Sequence, residues 1–225
     1  TSPGAGLLDH GRAHLDWYDA LRRRHPRVVL ESCSSGAMRS DFARLARSDL
    51  QSTSDQQDPL LYPPIAALSP MLMPPEVAGN WAYPQPDMSL EGIAFTMVTG
   101  LAGTPYLSGF LDRMTQAQLD LVREAVGLHL GIRSEVAGSV PAWPLGFPRW
   151  EVVVLALRCP DRELLLVWER GGVDHVDVPV GVPAGEVETL YPRSLPAWGL
   201  RDVEDRPGTV RMTPPAQGLD RSGSA

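Results

Sequence analysis

Apolar residues in the first part of the chain alternate between helical spacing and short β-branched runs. Leu7 to His25 has apolar side chains at helical spacing, and the β-branched run Arg27–Glu31 that follows predicts a buried strand. The same alternation then continues. Further helices are predicted at 41–47, 89–101 and 115–131, and the strands are predicted near residues 28, 50, 72 and 106. Helices that alternate with short apolar strands indicate βαβ units and a parallel sheet.

The pattern changes after about residue 134. Three prolines between Pro141 and Pro148 mark a crossing, and helical periodicity does not return. The segments beyond it alternate or are β-branched, and Gly171-Gly172 suits a hairpin turn. The strands predicted here are Trp150–Arg158, Arg162–Arg170, Val173–Val180, Glu186–Tyr191 and Thr209–Met212. We therefore expect an α/β unit over 1–133 and an antiparallel β domain over 134–225.

The composition is that of a globular protein. The 225 residues carry a formal charge of −7 and are 43% hydrophobic, and no run approaches the ~20 apolar residues that span a bilayer. The arginines are scattered and lysine is absent, which disfavours a nucleic-acid partner and is typical of a high-GC, bacterial genome. The two cysteines, Cys33 and Cys159, are too few for a disulfide framework. We expect a cytoplasmic protein with no membrane partner, no metal and no cofactor.

Three polar loops follow predicted strands, at the positions where parallel α/β folds place their active residues. These loops are Glu31–Asp41, Thr53–Asp58 and Ala78–Pro86. They contain the residue types that contact sugars, because an aromatic ring such as Trp81 packs on a pyranose face and a carboxyl group can act as general acid or base. From composition alone, each loop can equally be a simple connector.

The first two loops carry a more specific pattern. The motif Glu-x-Cys-x-Ser-Gly-x-x-Arg-x-Asp spans Glu31–Asp41, and Thr-Ser-Asp follows at Thr53–Asp55. This pair of motifs resembles the α-galactosidases of glycoside hydrolase family 36, which typically show Glu-Asn-Cys-Ala-Ser-Gly-Gly-Gly-Arg-x-Asp and then Trp-Thr-Ser-Asp-Asn-x-Asp. The order and spacing of the two motifs make the resemblance specific, and it covers about residues 15–131.

The resemblance implies a retaining glycosidase with two catalytic Asp residues on a (β/α)₈ barrel. By motif match, Asp55 is the acid/base, and Cys33 and Gly36 contact the galactose. Arg39 either contacts the sugar or only ties its loop to Asp41 or another carboxylate. The resemblance gives an α/β fold class, namely the second half (strands 5–8) of a (β/α)₈ barrel followed by a small antiparallel β-sandwich domain. The family's nucleophile, an Asp in a Lys-x-Asp context on the fourth strand, has no counterpart in this sequence.

Several positions depart from the family pattern. Ser52 stands where the family has Trp, Gln56 where it has Asn, and Ala37-Met38 where it has two glycines. These changes bear on substrate preference more than on reaction type. Two simpler interpretations also stay open, since Cys33 can be a small buried apolar side chain and Asp55 can be a helix N-cap.

Two functions are compatible with the sequence. In the first, the chain is a fragment of a retaining α-galactosidase for terminal α-galactosides and has no turnover by itself. In the second, it is a non-catalytic carbohydrate-binding or scaffold protein on a degenerate barrel. A half barrel leaves the strands near residues 28 and 106 as unpaired edges, so we expect the isolated chain to aggregate or dimerise. A homo-oligomeric full-length parent stays open.

Overall fold

A computed structural model describes residues 2–215 of the chain. The first half contains a four-stranded sheet in the order β1-β2-β3-β4, and each neighbouring pair of strands is parallel. The strands are β1 (Glu31–Ser32), β2 (Leu50–Ser52), β3 (Ala78–Ala82) and β4 (Thr104–Leu107). The prediction of a parallel sheet built from alternating helices and strands is confirmed.

Six α-helical segments accompany the strands within residues 2–215. They are α1 (Ala5–Arg24), α2 (Ser34–Ala37), α3 (Phe42–Leu45), α4 (Pro63–Leu68), α5 (Leu90–Leu101) and α6 (Gln116–Ala137). Thr115 and Gln118 form the predicted capping box at the start of α6, which satisfies backbone N–H groups of the first turn. In this part of the chain, no helix is long and apolar enough to cross a membrane.

The third strand lies later in the chain than the pattern predicts. The segment Met71–Met73, predicted as the strand near residue 72, is instead the end of a 3-10 turn (Ser69–Met71) and a bend, and β3 begins at Ala78. Pro70 and Pro74 flank this segment, and a proline has no N–H to donate to a neighbouring strand. The alternation of Met71 and Met73 is therefore not evidence of a strand here, and this segment is not part of the sheet.

The first strand is shorter than predicted. Only Glu31 and Ser32 pair with β2, whereas Val28 and Val29 are 48% and 66% exposed. The prediction of a buried strand over Arg27–Glu31 is therefore wrong for most of its length. Among the described residues β1 is an outer strand of the sheet, so no neighbouring strand covers the two valines.

Large apolar side chains are exposed throughout the N-terminal segment. The helix α1 buries none of its residues, although its sequence is amphipathic. The exposed side chains here are Leu7, Leu8, Trp17, Val28, Val29, Met38 and Phe42. We call these side chains the N-terminal apolar surface; large exposed apolar patches are typical of surfaces that another polypeptide segment covers.

The second half of the chain contains two three-stranded antiparallel sheets in the orders β5-β6-β7 and β8-β10-β9. The strands are β5 (Val140–Ala142), β6 (Val152–Arg158), β7 (Glu163–Glu169), β8 (Val176–Pro179), β9 (Gly199–Asp202) and β10 (Thr209–Thr213). The predicted strand Glu186–Tyr191 is wrong, because it contains only the end of a 3-10 turn (Ala184–Glu186) and irregular backbone. The pattern also missed β5 and β9, which are short.

Successive side chains of β7 point to opposite faces of the β5-β6-β7 sheet, and each face packs against a different layer. On β7, Leu164, Leu166 and Trp168 share a core with helix residues such as Leu101 and Ile132. The alternate side chains Leu165 and Val167 pack against the second sheet, in the core that contains the residues Val176, Val178, Val210 and Met212. The sheet is thus covered on both faces, which explains why β6 is buried at nearly every position.

An ion-pair network joins β8 to β10. Asp177 lies opposite Arg211 in the register and accepts hydrogen bonds from its Nε and Nη2 at 2.6 and 2.7 Å, and Arg206 also pairs with the carboxylate. The side chain of Asp177 is 13% exposed. The hydrogen bonds from Arg211 and then Arg206 lower the pKa of Asp177, against the opposing effect of burial.

Asp177→Asn is expected to lower the free energy of unfolding at pH 7 by about 2 kcal/mol, because it removes the charge that pairs the partly buried Arg211. A carboxyl group whose pKa is depressed in the folded state stabilises the fold above its ordinary pKa, about 4, and loses this contribution as the pH falls further. Urea unfolding of both proteins from pH 7 to pH 3 checks this. The gap between them should be constant above about pH 5 and narrow below about pH 4, and a gap independent of pH would contradict the assignment.

Candidate active site

The loops that follow β1 and β2 meet at the carboxyl ends of these strands. A Cβ atom added to Gly36 would lie 2.5 Å from the backbone N of Asp55 and 3.2 Å from its Cγ. Real Cβ atoms do not approach other atoms this closely, so only glycine fits at this position. Two of the residues predicted from sequence, Gly36 and Asp55, are therefore in direct contact.

Asp55 is an exposed residue of the loop after β2. It is not a helix N-cap, since α4 begins at Pro63 and its N-cap residue is Tyr62. The turn after it is held by a different carboxylate, because Asp58 accepts a hydrogen bond from the backbone N of Leu60 at 2.8 Å. Within residues 2–215 the Asp55 carboxylate has no ion-pair partner within 4 Å. It is therefore accessible to a ligand.

A buried hydroxyl network fixes the chain two residues before Asp55. The Oγ1 atom of Thr53 lies 2.8 Å from Tyr62 Oη, 2.8 Å from Asn80 Oδ1 and 3.0 Å from the carbonyl of Gly79. This network connects the end of β2 both to β3 and to α4. Because buried hydrogen bonds are costly to break, the loop that carries Asp55 starts from a rigid point.

Three aromatic rings form a cluster beside these loops. The rings of Trp81 and Tyr83 are stacked with centroids 5.6 Å apart, and Tyr106 meets Trp81 edge-on at 5.0 Å. Trp81 Nε1 donates a hydrogen bond to Ser52 Oγ at 2.9 Å. Ser52, which stands at the position of a tryptophan in the family motif, thus holds the Trp81 indole in place. A Cβ atom on Gly79 would lie 2.5 Å from Tyr106 Cζ, and the glycine thus makes room for that ring.

Sequence reasoning identified Trp81 as a possible sugar-stacking ring but missed Tyr83 and Tyr106. The available signal was the register of β3 and β4, in which Trp81 pairs with Tyr106. That register could not be read because the third strand was assigned to the wrong segment. A correct start at Ala78 would have placed both rings at neighbouring strand ends.

The pKa values of two phenols in the aromatic cluster are raised. Burial raises the pKa of Tyr83, and the Asp55 carboxylate and Cys33 raise it further. Burial, the Glu31 carboxylate and Cys33 act on Tyr106 in the same direction, so its pKa is raised as well. Both phenols are thus protonated at neutral pH and can donate hydrogen bonds. In the described part of the chain, no cluster of three His, Cys, Asp or Glu side chains forms a metal site.

The loop after β1 has a strained backbone. The four residues of α2 have φ values of 55°, 54°, 65° and 69°, so this single turn lies in the left-handed region. Only Gly36 among them adopts this conformation without cost, and each of Ser34, Ser35 and Ala37 costs about 1–2 kcal/mol. Strained backbone of this kind is concentrated at binding and catalytic sites, where surrounding contacts hold it in place.

Ala37→Gly is expected to raise the free energy of unfolding by about 1 kcal/mol, because φ at this position is 69° and glycine removes the left-handed penalty. Met38, the second residue that replaces a family glycine, has φ −57° and an ordinary helical conformation. Met38→Gly is therefore the matched control and is expected to destabilise the fold by a few tenths to about 1 kcal/mol. Urea unfolding measures both, and two changes of the same sign would contradict the argument.

The remaining residues predicted for this loop are placed as follows. Cys33 is half-buried at the start of α2. Arg39 is exposed, and its charge helps to lower the pKa of His14 on α1, after burial and Arg44. Asp41 caps α3 and pairs with Arg44 at 3.3 Å, so it is not the partner of Arg39. The structure thus brings Gly36 and Asp55 into contact and places Cys33 just before α2 in the loop that carries Gly36. The roles of Cys33, Gly36, Arg39 and Asp55 towards a sugar stay predictions.

Comparison with known proteins gives one family match and several structural matches. The family model for Melibiase matches residues 12–123. The galactosidase domain of the α-galactosidase-sucrose kinase AgaSK superimposes with a TM-score of 0.63 and 19% identity, over 72% of this chain and 24% of that one. AgaA, a GH36 α-galactosidase from Geobacillus stearothermophilus, gives 0.59 and 16%, over 83% and 24%. The α-galactosidase from Lactobacillus brevis gives 0.56 and 18%, over 82% and 25%.

Each of these solved structures is about four times as long as the part that this chain matches. No curated protein sequence matches the chain. At such low identity the structural likeness shows the fold alone, whereas the Melibiase match rests on the sequence of the segment that carries both motif loops. The chain is a melibiase-like protein of glycoside hydrolase family 36 that represents part of the family's domain.

Proposed function

We propose that this chain carries the acid/base half of the active site of a retaining α-galactosidase. The observation that supports this most strongly is the contact between Gly36 and Asp55, which joins the two motif loops at the ends of adjacent parallel strands. Both loops are polar, and the aromatic cluster beside them offers ring faces for a pyranose. Parallel α/β folds assemble their catalytic sites from such strand ends.

In this proposal Asp55 acts twice in the reaction. It first donates a proton to the glycosidic oxygen as the bond to the anomeric carbon breaks. As a carboxylate it then takes a proton from the water that attacks the covalent galactosyl intermediate. Its exposed position leaves it accessible to substrate and water in both steps.

The mechanism needs a second carboxylate roughly 5–5.5 Å from the first to form the covalent intermediate. Besides Asp55, Glu31 is a carboxylate that acts on the aromatic cluster, since it raises the pKa of Tyr106 after burial. Glu31 matches no nucleophile motif of the family, so we assign the nucleophile to a polypeptide segment outside this sequence. The chain alone is expected to have no turnover.

We infer that the four parallel strands correspond to strands five to eight of a (β/α)₈ barrel. The outer strands β1 and β4 each pair on one side only among the described residues, and four more strands would join their free edges. Those strands and their helices would also cover the N-terminal apolar surface of α1 and the β1 edge. The small β domain that follows would be the family's C-terminal antiparallel sandwich.

The ligands of similar solved structures support a substrate class for this proposal. Variants of AgaA have been solved with raffinose and with stachyose. Both are oligosaccharides with a terminal α-galactose, and we extend this substrate class to the complete protein from which the chain comes. The aromatic cluster of Trp81, Tyr83 and Tyr106 supports a sugar as the ligand.

Activity of a longer protein tests the proposal. This chain is expressed together with the coding sequence that precedes it, as an extended protein, and assayed with an aryl α-galactoside and with raffinose. The extended protein should hydrolyse both with retention of configuration, and the chain alone should hydrolyse neither. An extended protein that binds galactose but releases no product from either substrate would overturn the assignment.

The alternative is a non-catalytic carbohydrate-binding protein on a degenerate barrel. The observation that favours it is Ala37 in a left-handed conformation, because a residue under strain where the family has glycine is consistent with relaxed selection on the loop. Under this alternative the preceding coding sequence contains no strand that ends in Lys-x-Asp. Sequencing upstream of the first codon therefore distinguishes the two functions.

A further inference from the structure

A groove of about 560 Å³ runs along one edge of β7, away from the loops of the candidate active site. The β7 backbone forms one wall. Phe95 of α5 and Leu128 of α6 line it from the helical side, and Leu200 and Met212 line it from the second sheet. The irregular segment 186–198 forms the opposite wall. None of these residues belongs to the motif loops, so the groove is separate from the proposed catalytic function.

The edge of β7 that faces this groove has no strand partner among residues 2–215. In the sheet order β5-β6-β7, β7 pairs only with β6. The outward N–H and C=O groups of alternate residues between Glu163 and Glu169 therefore face the groove unpaired within the fold. An open edge of seven residues is a template for a further strand.

The dimensions of the groove match one short strand. A residue in a β-strand between two layers occupies roughly 3.3 × 4.8 × 10 Å, or about 160 Å³, from the rise, the strand spacing and the layer spacing. A groove of about 560 Å³ is therefore large enough for a short strand segment of a few residues. The groove is the gap that remains where the sheet beside β7 could continue by one strand.

Residues 2–215 do not fill this gap with their own backbone. The segment 186–198, which forms the opposite wall, contains Pro192 and Pro196, and neither can donate to β7. Both layers around the gap are apolar, because the helices cover one face of β7 and the second sheet covers the other. An occupying strand must therefore be apolar on both faces.

The charged side chains around the groove are mostly acidic. Its single lining arginine, Arg162, is bound by Glu135 in a bidentate pair at 2.7 and 2.9 Å, and Glu163 is paired with Arg158. Five other lining carboxylates have no ion-pair partner within 4 Å in the described part of the chain; one of them, Glu169, accepts a hydrogen bond from the backbone N of Gly171. The other four carboxylates belong to Glu91, Asp161, Glu186 and Glu188. Their charge favours a basic group at the end of the occupying segment.

We propose that this groove binds an extended peptide of another polypeptide, which adds a short strand to the free edge of β7. The backbone of the peptide supplies the hydrogen bonds, its β-branched or aliphatic side chains contact both apolar layers, and an arginine at one end meets the carboxylates. This is recognition by strand addition, in which backbone pairing gives affinity and the flanking layers give selectivity.

A labelled peptide tests the proposal on the 225-residue chain. The probe is fluorescein-labelled Arg-Arg-Val-Ile-Val-Thr-Val, and fluorescence anisotropy measures its binding at low salt. In an extended strand, alternate amides point to β7 and the others point away. N-methylation of one alternate set is expected to weaken binding at least roughly tenfold, and N-methylation of the other set by less than about twofold. Equal effects of the two sets would overturn strand addition and indicate a pocket for apolar small molecules.

Charge reversal of two groove carboxylates is the second test of the proposal. The double variant Glu186→Arg and Glu188→Arg is expected to weaken binding of the arginine probe about three- to tenfold at low salt and to improve binding of the same peptide with Asp-Asp at its end. Glu204→Arg is the matched control, because Glu204 is also exposed on the β domain but does not line the groove. A probe that does not saturate at millimolar chain, or responds equally to both charge reversals, would overturn the proposal.

Discussion

Asp55→Asn in the extended protein is expected to lower kcat/KM for raffinose by about 10³-fold, because a general acid that protonates a poor leaving group contributes roughly 10²–10⁴ in rate. The leaving group of raffinose is a hydroxyl oxygen of the remaining sugar. A sugar hydroxyl is a weak acid, so its departure depends fully on the donated proton. An aryl α-galactoside with an acidic phenol depends on it less, so its loss of glycosylation rate should be much smaller. The ratio of the two losses, measured from initial rates, identifies the acid.

Azide identifies the second function of the same residue. It attacks the galactosyl intermediate without a general base, so azide is expected to restore turnover of the aryl substrate by Asp55→Asn and to yield an α-galactosyl azide with retained configuration. A nucleophile variant would yield the inverted product instead. Asp58→Asn is the matched control in the same loop, because asparagine keeps the oxygen that accepts from the Leu60 backbone N. Equal losses in both variants would argue that the loop, and not the carboxylate of Asp55, is what matters.

The sequence predicted which loops lie together better than it predicted the strand boundaries. Motif spacing assigned Gly36 and Asp55 to one site, and the structure shows them in contact, because loops after adjacent parallel strands must meet at one edge of the sheet. Hydrophobic runs were less reliable. Met71–Met73 alternates as a strand does, but the prolines around it remove the donors that a strand needs.

Two features of the site depend on tertiary contacts that no local pattern records. The stacking of Tyr83 on Trp81 and the edge contact of Tyr106 depend on the register between β3 and β4. The left-handed conformation of Ala37 depends on the approach of its loop to Asp55, and it contradicts the local preference of alanine. In both cases contacts between residues far apart in the sequence decide the conformation. The local sequence pattern therefore could not predict it.

Gly36→Ala is expected to cost about 2–3 kcal/mol in the free energy of unfolding, of which about 1 kcal/mol comes from φ +65° and the rest from the contact with Asp55. The new Cβ would lie 2.5 Å from a backbone nitrogen, which cannot rotate away as a side chain can. The Asp55 loop must therefore move. A displacement near 1 Å at a catalytic group lowers rate by about 10²-fold, so kcat/KM of the extended protein should fall by that factor.

Gly146→Ala separates the two contributions, because Gly146 has φ +76° and no atom within 4 Å of an added Cβ. It should cost about 1 kcal/mol, the left-handed penalty alone, and leave kcat/KM unchanged within about twofold. The difference in unfolding free energy between the two variants then measures the contact of Gly36 with Asp55. Equal losses of stability in Gly36→Ala and Gly146→Ala, with no loss of activity in either, would contradict this argument. The loop that contains Gly36 would then not position Asp55, because displacement of an acid/base residue must lower the rate.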